Sequence, residues 1–150
     1  MKLEKILKGV EIAEQTADAA MEVGELKYDS RQVQKGDVFV AITGYATDGH
    51  KYIGKAIELG ASVIVLEHVP EGGISVPYVR VESSRRALAE MAANYFDHPA
   101  RSMTMVGITG TNGKTTTTYL LKTILEAQGH KVGLIGTNQN MIGDEILPTE

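Results

Sequence analysis

The chain has 150 residues, 43% of them hydrophobic and 23% charged, and its formal net charge is −4. This composition is typical of a folded globular chain holding one domain, or one small domain and part of another, and the negative charge argues against general nucleic-acid binding. The sequence contains no cysteine, which excludes disulfides and cysteine-based metal sites. No apolar run reaches the ~18 residues of a membrane span, and the charged start does not resemble a secretory signal. We therefore expect a cytoplasmic protein that binds neither membrane nor nucleic acid.

The first hundred residues alternate between helical and strand-like patterns. Apolar residues at helical spacing predict a short amphipathic helix over residues 2–10, and a loose segment follows it. A short strand is predicted near residues 26–29 and a stronger one over 37–42, with Lys35 and Gly36 forming the turn between them.

A helix, two strands and a second helix are predicted next. Asp48, Gly49 and His50 mark a loop that leads into a helix over residues 52–59, and Gly60 ends that helix. The apolar runs at 62–67 and 77–81 predict strands. A helix over 83–96 follows, capped by Ser83.

A break at residues 97–102 indicates a domain boundary, with a first domain over 1–100 and the start of a second over 101–150. The second part predicts a strand at 103–109, a helix at 114–128 and a strand at 131–135, the two strands being parallel. From Gly136 onward the sequence is polar and loop-like, and Asp144 and Glu145 are expected to lie in a hairpin or loop.

The glycine-rich stretch TGTNGKTT lies between a predicted strand and a predicted helix, which is the setting of a phosphate-binding loop. Glycines let successive backbone N–H groups surround phosphate oxygens, and the helix N-terminus adds unpaired donors and partial positive charge. Lys114 would reach the β- and γ-phosphates of ATP, and the Thr115 hydroxyl would bind Mg²⁺. The predicted ATP-binding residues are Gly110, Thr111, Asn112, Gly113, Lys114, Thr115 and Thr116.

The loop departs from the commonest form of the motif. That form has a glycine six residues before the lysine, where this sequence has Ile108. The loop is therefore a tighter variant, and an ordinary glycine-rich turn before a helix is the alternative interpretation.

TGTNGKTTTT after an apolar strand resembles the Mur ligases, and residues 28–65, YDSRQVQKGDVFVAITGYATDGHKYIGKAIELGASVIV, resemble the first domain of that family. The resemblance implies an α/β fold: a small N-terminal α/β domain that binds a UDP-sugar, then the opening β-(P-loop)-α-β of a central ATPase domain. Members of the family have three domains. We therefore expect a fragment of a longer ligase, with the rest of the ligase chain missing.

Within the family, the sequence most resembles the branch that acts in peptidoglycan synthesis on UDP-N-acetylmuramoyl-L-alanyl-D-glutamate. That branch joins meso-diaminopimelate or L-lysine to this substrate through an acyl phosphate, with ATP and Mg²⁺. This chain alone is expected to bind without catalysing. The sister branch that adds D-alanyl-D-alanine, a non-catalytic UDP-sugar-binding module and a free-standing P-loop switch or kinase remain alternatives.

The resemblance also implies which residues bind the substrate. Tyr28 and Ser30 would contact the uracil or ribose, and Tyr45, Ala46 and Thr47 would lie near the diphosphate and uridine. Two acidic residues nearby have ordinary explanations as well, since Asp29 can simply pair with Arg31 and Asp48 can serve only as a turn or cap residue. The second part is too small to bury a whole core. We expect it to be poorly ordered alone or protected by association with another chain, including self-association.

Overall fold

The computed structural model describes residues 1–44 and 47–148, and the chain separates into two compact units, Met1–Met103 and Thr104–Glu150. Both units combine helices with β-sheet, so the predicted α/β class is confirmed. Within the described residues, every helix is too short or too polar to cross a membrane.

The first unit is built on a five-stranded sheet with the strand order β1-β5-β4-β3-β2. Strands β2, β3, β4 and β5 are parallel to one another, and β1 is antiparallel to β5. The strands are β1 (Ile12–Gln15), β2 (Leu26–Lys27), β3 (Val38–Val40), β4 (Val63–Leu66) and β5 (Tyr78–Val81). Both β3 and β4 are fully buried, as expected of parallel strands covered on both faces.

Helices cover the two faces of this sheet. Helices α1 (Leu3–Ile6) and α3 (Ser84–Tyr95) contribute to one apolar cluster, and α2 (Ile53–Glu58) contributes to the other. Alternate residues of β3 divide between the two clusters, because successive strand side chains point to opposite faces. Short 3₁₀ turns at Ser30–Gln32, Gly49–Tyr52 and Pro99–Ser102 complete the unit.

The second unit contains helix α4 (Lys114–Ala127) and three short strands, β6 (Gly133–Ile135), β7 (Asn140–Ile142) and β8 (Glu145–Leu147). The strands form an antiparallel sheet in the order β6-β7-β8. Gly143, at φ +58°, stands in the turn between β7 and β8, a conformation that glycine adopts without strain.

Three sequence predictions are wrong. Residues 103–109 form no strand, and β6 pairs with the antiparallel β7 and not with a parallel strand from that segment. Around Asp144 and Glu145, where a hairpin or loop is expected, the chain forms the β7–β8 hairpin. The segment after residue 10, predicted to be loose, contains β1. All four residues of β1 are exposed, so no burial pattern marks it as a strand.

Helix α1 is shorter than the predicted span of 2–10. Gly9 has φ +78°, and the Asn94 side-chain amide donates to the carbonyls of Ile6 and Lys8 at 2.9 and 2.6 Å. These contacts occupy carbonyls that a continuing helix would use for its own backbone bonds. By contrast, the predicted Ser83 cap of α3 is confirmed, since its hydroxyl accepts from Arg86 N.

Candidate functional site

The carboxyl ends of β2, β3 and β4 lie along one edge of the first unit's sheet, because these strands are parallel neighbours. Tyr28 and Ser30 follow β2, Thr47 belongs to the loop after β3, and Glu67 follows β4. Ligands of open α/β sheets bind outside such carboxyl ends. The structure therefore brings Tyr28, Ser30 and Thr47 to one edge, whereas Tyr45 and Ala46 lie outside the described residues.

The segment after β2 is held in a tight turn by Asp29. Its carboxylate accepts from Arg31 N at 2.9 Å and from the Arg31 guanidinium at 2.6 Å. These bonds, the side-chain ones first, lower the pKa of Asp29 from 3.8 to about 2. The structure therefore contains the Asp29–Arg31 pair that is the ordinary explanation for Asp29. It fixes a turn that buries Ser30 and leaves the neighbouring Tyr28 exposed.

The loop after β3 is closed by backbone hydrogen bonds at both ends. Gly44 N donates to Thr47 O at 3.0 Å, and Gly49 N donates to Ile42 O at 2.9 Å. A Cβ at Gly49 would lie 2.7 Å from Ile42 N, so only glycine fits without moving the backbone. Thr47 is exposed at this edge, where its hydroxyl can be offered to a ligand.

His50 is buried beneath this loop in a defined tautomer. Glu67 N donates to His50 Nε2 at 3.0 Å, and His50 Nδ1 lies 2.7 Å from Asp48 Oδ1. Because Nε2 accepts a backbone N–H, the ring proton resides on Nδ1 and is donated to Asp48. Asp48 also accepts from His50 N, so its predicted role as a cap is confirmed.

Asp48, His50 and His68 lie close enough together to raise the question of a metal site. The geometry argues against it. Both ring nitrogens of His50 are engaged, and a metal on Nδ1 would require a proton on Nε2, facing the Glu67 N–H. The His50 and His68 rings also stack at 3.9 Å with an interplanar angle of 15°, so their nitrogen lone pairs do not converge on one point.

Glu67 joins three parts of this edge, and the sequence reasoning missed it. Its Oε1 accepts from Ser84 N at 2.9 Å and Ser84 Oγ at 2.8 Å, while Oε2 accepts from Thr43 Oγ1 at 2.8 Å. Burial raises the pKa of Glu67, but the hydrogen bonds from Ser84 and Thr43 outweigh it, so the pKa lies below its usual value. The sequence feature that could have identified Glu67 is an acidic residue directly after a buried parallel strand.

The glycine-rich loop of the second unit precedes α4 as predicted. Gly113 precedes the helix at φ +75° and Gly110 has φ +150°, both in the region that favours glycine. The first helical bond runs from Thr117 N to Gly113 O at 2.9 Å. The N–H groups of Lys114, Thr115 and Thr116 therefore come before it, as free helix-start donors do.

The side chains of this loop leave its backbone open. In the part of the chain that the structure describes, no side chain caps the start of α4, and a Cβ added at Gly113 would meet no atom within 4 Å. The Lys114 ammonium donates to Gly110 O at 2.7 Å, which holds its charge over the loop. Thr111 and Asn112 are exposed and Thr115 is half-buried. Backbone donors, a helix start and one ammonium group are the kinds of group that suit a phosphate.

Comparison with known families finds a match for each part of the chain. Residues 22–96 match the family model described as "Mur ligase family, catalytic domain", and residues 108–149 match "Mur ligase middle domain". The chain belongs to the Mur ligase family.

Two relatives from that family carry the same kind of description. The chain is 48% identical over 145 residues to UDP-N-acetylmuramoyl-L-alanyl-D-glutamate–2,6-diaminopimelate ligase 1 of Clostridium acetobutylicum, covering 97% of this chain and 30% of the relative. It is 43% identical over 151 residues to the ligase of the same description from Phocaeicola vulgatus, covering 100% of this chain and 31% of the relative. The chain thus spans about 30% of the length of these relatives.

Solved structures give the same picture of the fold. A UDP-N-acetylmuramoyl-L-alanyl-D-glutamate–2,6-diaminopimelate ligase matches with a TM-score of 0.74 and 25% identity, over 99% of this chain and 30% of that one. The MurF ligase of Thermotoga maritima, in complex with ADP, matches with a TM-score of 0.56 and 31% identity, over 80% of this chain and 28% of that one.

Proposed function

We propose that this chain is the nucleotide-sugar-binding part and the opening of the ATP-binding part of a peptidoglycan ligase. The ligase would join an amino acid to UDP-N-acetylmuramoyl-L-alanyl-D-glutamate. The observation that carries this proposal is the 48% identity, over 97% of the chain, to a relative described as the 2,6-diaminopimelate-adding enzyme. That description favours diaminopimelate over L-lysine as the amino acid.

Two observations favour this branch over the sister branch that adds D-alanyl-D-alanine. The solved diaminopimelate ligase covers 99% of the chain with a TM-score of 0.74. The MurF ligase of Thermotoga maritima covers 80% with a TM-score of 0.56. The cytoplasm is the compartment we propose, and the proposed partners are the nucleotide sugar and the amino acid, with no nucleic acid or membrane.

The proposed reaction activates a carboxylate before it forms an amide. A carboxylate oxygen of the D-glutamate attacks the γ-phosphorus of ATP, and ADP leaves. The amine of the incoming amino acid then adds to the acyl phosphate carbon, and the tetrahedral intermediate loses phosphate and a proton to give the amide. Without the first step, the carboxylate would have no adequate leaving group.

Residues at the start of α4 would serve the first step by binding phosphate. The backbone N–H groups from Gly110 to Thr116 would surround its oxygens, and Lys114 would leave Gly110 O to contact the β- and γ-phosphates. The Thr115 hydroxyl is a hard oxygen donor suited to Mg²⁺, which keeps most of its other positions for water and phosphate oxygens. Bound Mg²⁺ would neutralise part of the phosphate charge during transfer.

The carboxyl edge of the first unit's sheet would hold the nucleotide sugar. Tyr28 and Ser30 would contact the uracil or ribose, and Thr47, with Tyr45 and Ala46, would lie near the diphosphate. An exposed aromatic ring can stack on a base, and hydroxyl and backbone groups suit uracil edges and phosphate oxygens. A chain with these contacts can bind the substrate without catalysing, so the binding-module alternative describes this chain within the same proposal.

Calorimetric titration of this chain with UDP-N-acetylmuramoyl-L-alanyl-D-glutamate tests the proposal, with UMP and Mg-ATP as separate ligands. We expect the nucleotide sugar to bind, and Ser30→Ala to weaken that binding by about two- to tenfold, the value of one hydrogen bond. Ser102→Ala is the matched control, because its exposed hydroxyl donates only to Pro99 O within its own turn. A folded wild-type chain that does not bind the nucleotide sugar would contradict the proposal.

A further inference from the structure

A brace joins the loop after β3 to the start of α3 at the carboxyl edge of the sheet. Its centre is the Glu67 carboxylate, which accepts from the Thr43 hydroxyl on one oxygen and from Ser84 N and Oγ on the other. These contacts connect residues that are 24 and 17 positions apart in the sequence. We refer to Thr43, Glu67 and Ser84 as the brace.

The brace acts on both ends of the loop that carries Thr47. Thr43 begins the loop and forms an isolated β-bridge with Asp48. A displacement of Thr43 therefore also displaces Asp48. At the other end, Asp48 binds His50, whose Nε2 accepts from the backbone of Glu67 itself. The same residue thus holds the first end through its carboxylate and the second end through its N–H.

The members of the brace differ in their access to solvent. Ser84 is fully buried at 0% exposure, so its hydroxyl cannot touch a ligand. Its hydroxyl proton is directed at Glu67 Oε1, which accepts a second bond from the same residue's backbone. The Ser84 hydroxyl can therefore affect ligand binding through the Glu67 carboxylate that it contacts.

We propose that Glu67 is a positioning residue for nucleotide-sugar binding: through Thr43 and His50 it fixes both ends of the loop that presents Thr47 at the same sheet edge as Tyr28 and Ser30. The inference rests on the proposed function. A loop that is ordered before the ligand arrives loses less entropy on binding, so the brace raises affinity without contacting the ligand.

The test compares matched variants by calorimetric titration with UDP-N-acetylmuramoyl-L-alanyl-D-glutamate. Thr43→Val removes the exposed hydroxyl at constant shape, and Ser84→Ala removes the buried one. Each should weaken binding by about two- to tenfold, as expected for one hydrogen bond. Thr43→Ser keeps the hydroxyl and should bind as the wild type does. Ser102→Ala again serves as the control and should also match the wild type.

Hydrogen exchange supplies a readout that does not depend on the ligand. In the Thr43→Val chain the amides of Gly44 and Gly49, which close the loop, should exchange several-fold faster than in the wild type. Glu67→Ala should show the largest effect, but it also leaves the buried Ser84 N–H unpaired and can unfold the chain. The inference therefore rests on the Thr43 and Ser84 variants, each of which removes one hydroxyl and leaves the Ser84 N–H paired with Glu67 Oε1.

The outcomes separate the two proposals. If the wild type binds and the Thr43→Val and Ser84→Ala chains bind equally well, the brace has no positioning role and only this inference fails. If Thr43→Val weakens binding but Ser84→Ala does not, Thr43 acts by direct contact and the inference also fails. If the folded wild type does not bind the nucleotide sugar at all, the proposed function fails and the brace's role fails with it.

Discussion

Replacing Gly49 by alanine should destabilise the first unit, because the backbone of the loop after β3 approaches it too closely. The new Cβ would lie 2.7 Å from Ile42 N and 2.8 Å from Ile42 O, distances that side chains do not adopt. Both contacts are to backbone atoms of the chain segment that follows β3, so no flexible side chain can move aside. The strand end must shift, or the turn at Gly49–Tyr52 must open.

The magnitude follows from two terms. Overpacking at a rigid site costs ~1–3 kcal/mol, and weakening the bond from Gly49 N to Ile42 O adds ~0.5–1.5 kcal/mol. The smaller entropy of the unfolded alanine chain offsets ~0.4–1 kcal/mol of this. The net loss of unfolding free energy is therefore ~0.5–4 kcal/mol, which for a unit of this size lowers the thermal midpoint by ~2–20 °C.

Gly54→Ala is the matched control. Gly54 lies inside α2, and a Cβ added there meets no atom within 4 Å. Alanine is better than glycine in a helix by ~0.5–1 kcal/mol, so this variant should be more stable than the wild type. Urea unfolding, monitored by circular dichroism, would measure the unfolding free energy of both variants. A Gly49→Ala chain as stable as the wild type would refute the reasoning from close approach.

Two further predictions concern the first unit. The pKa of Asp29 is lowered from 3.8 to about 2, so its ionised form stabilises the fold above pH 3.8 and that contribution is lost as the pH falls through about 2. Carboxyl-carbon NMR titration of Asp29 should measure this lowered pKa, and Arg31→Met should return the pKa towards 3.8. The same Asp29 pKa in the wild type and in Arg31→Met would contradict the prediction. Asn94→Ala leaves two carbonyls at the end of α1 without their amide donor and should cost ~1–3 kcal/mol of unfolding free energy. Asn138→Ala, at an exposed position, should cost nothing measurable by the same urea titration.

Sequence patterns predicted the buried elements of the first unit well. The apolar run of β4 is hydrophobic at every position because both faces of that strand are covered. Helix α3 carries both a cap and an apolar face, and its end at Tyr95 lies within one residue of the predicted end. These elements could be predicted because the pattern of their own residues determines them.

Elements and contacts whose cause lies elsewhere in the chain could not be predicted in this way. Strand β1 has an exposed side chain at every position and exists because β5 offers it backbone partners. The hydrogen bond from Glu67 N to His50 Nε2 joins residues 17 positions apart through the adjacency of β3 and β4. The sequence motif around His50 therefore predicted a turn, but not the tautomer or its partner.

The predicted strand at residues 103–109 shows the same limit and leads to a last prediction. Its sequence, MTMVGIT, has the apolar character of a strand, but a strand exists only where another strand satisfies its backbone groups. Within the described residues this segment pairs with no strand, and Met103, Met105 and Val106 are 56%, 68% and 58% exposed.

We therefore expect the amides of residues 104–109 to exchange with solvent rapidly, whereas those of the buried β4 exchange slowly. Native-state hydrogen exchange on a chain shown by sedimentation to be monomeric would measure both. Slow exchange across 104–109 in the monomer would mean that the segment finds a partner within this chain. Protection that increases with protein concentration would instead show that a second copy supplies the partner, because only an intermolecular contact depends on concentration.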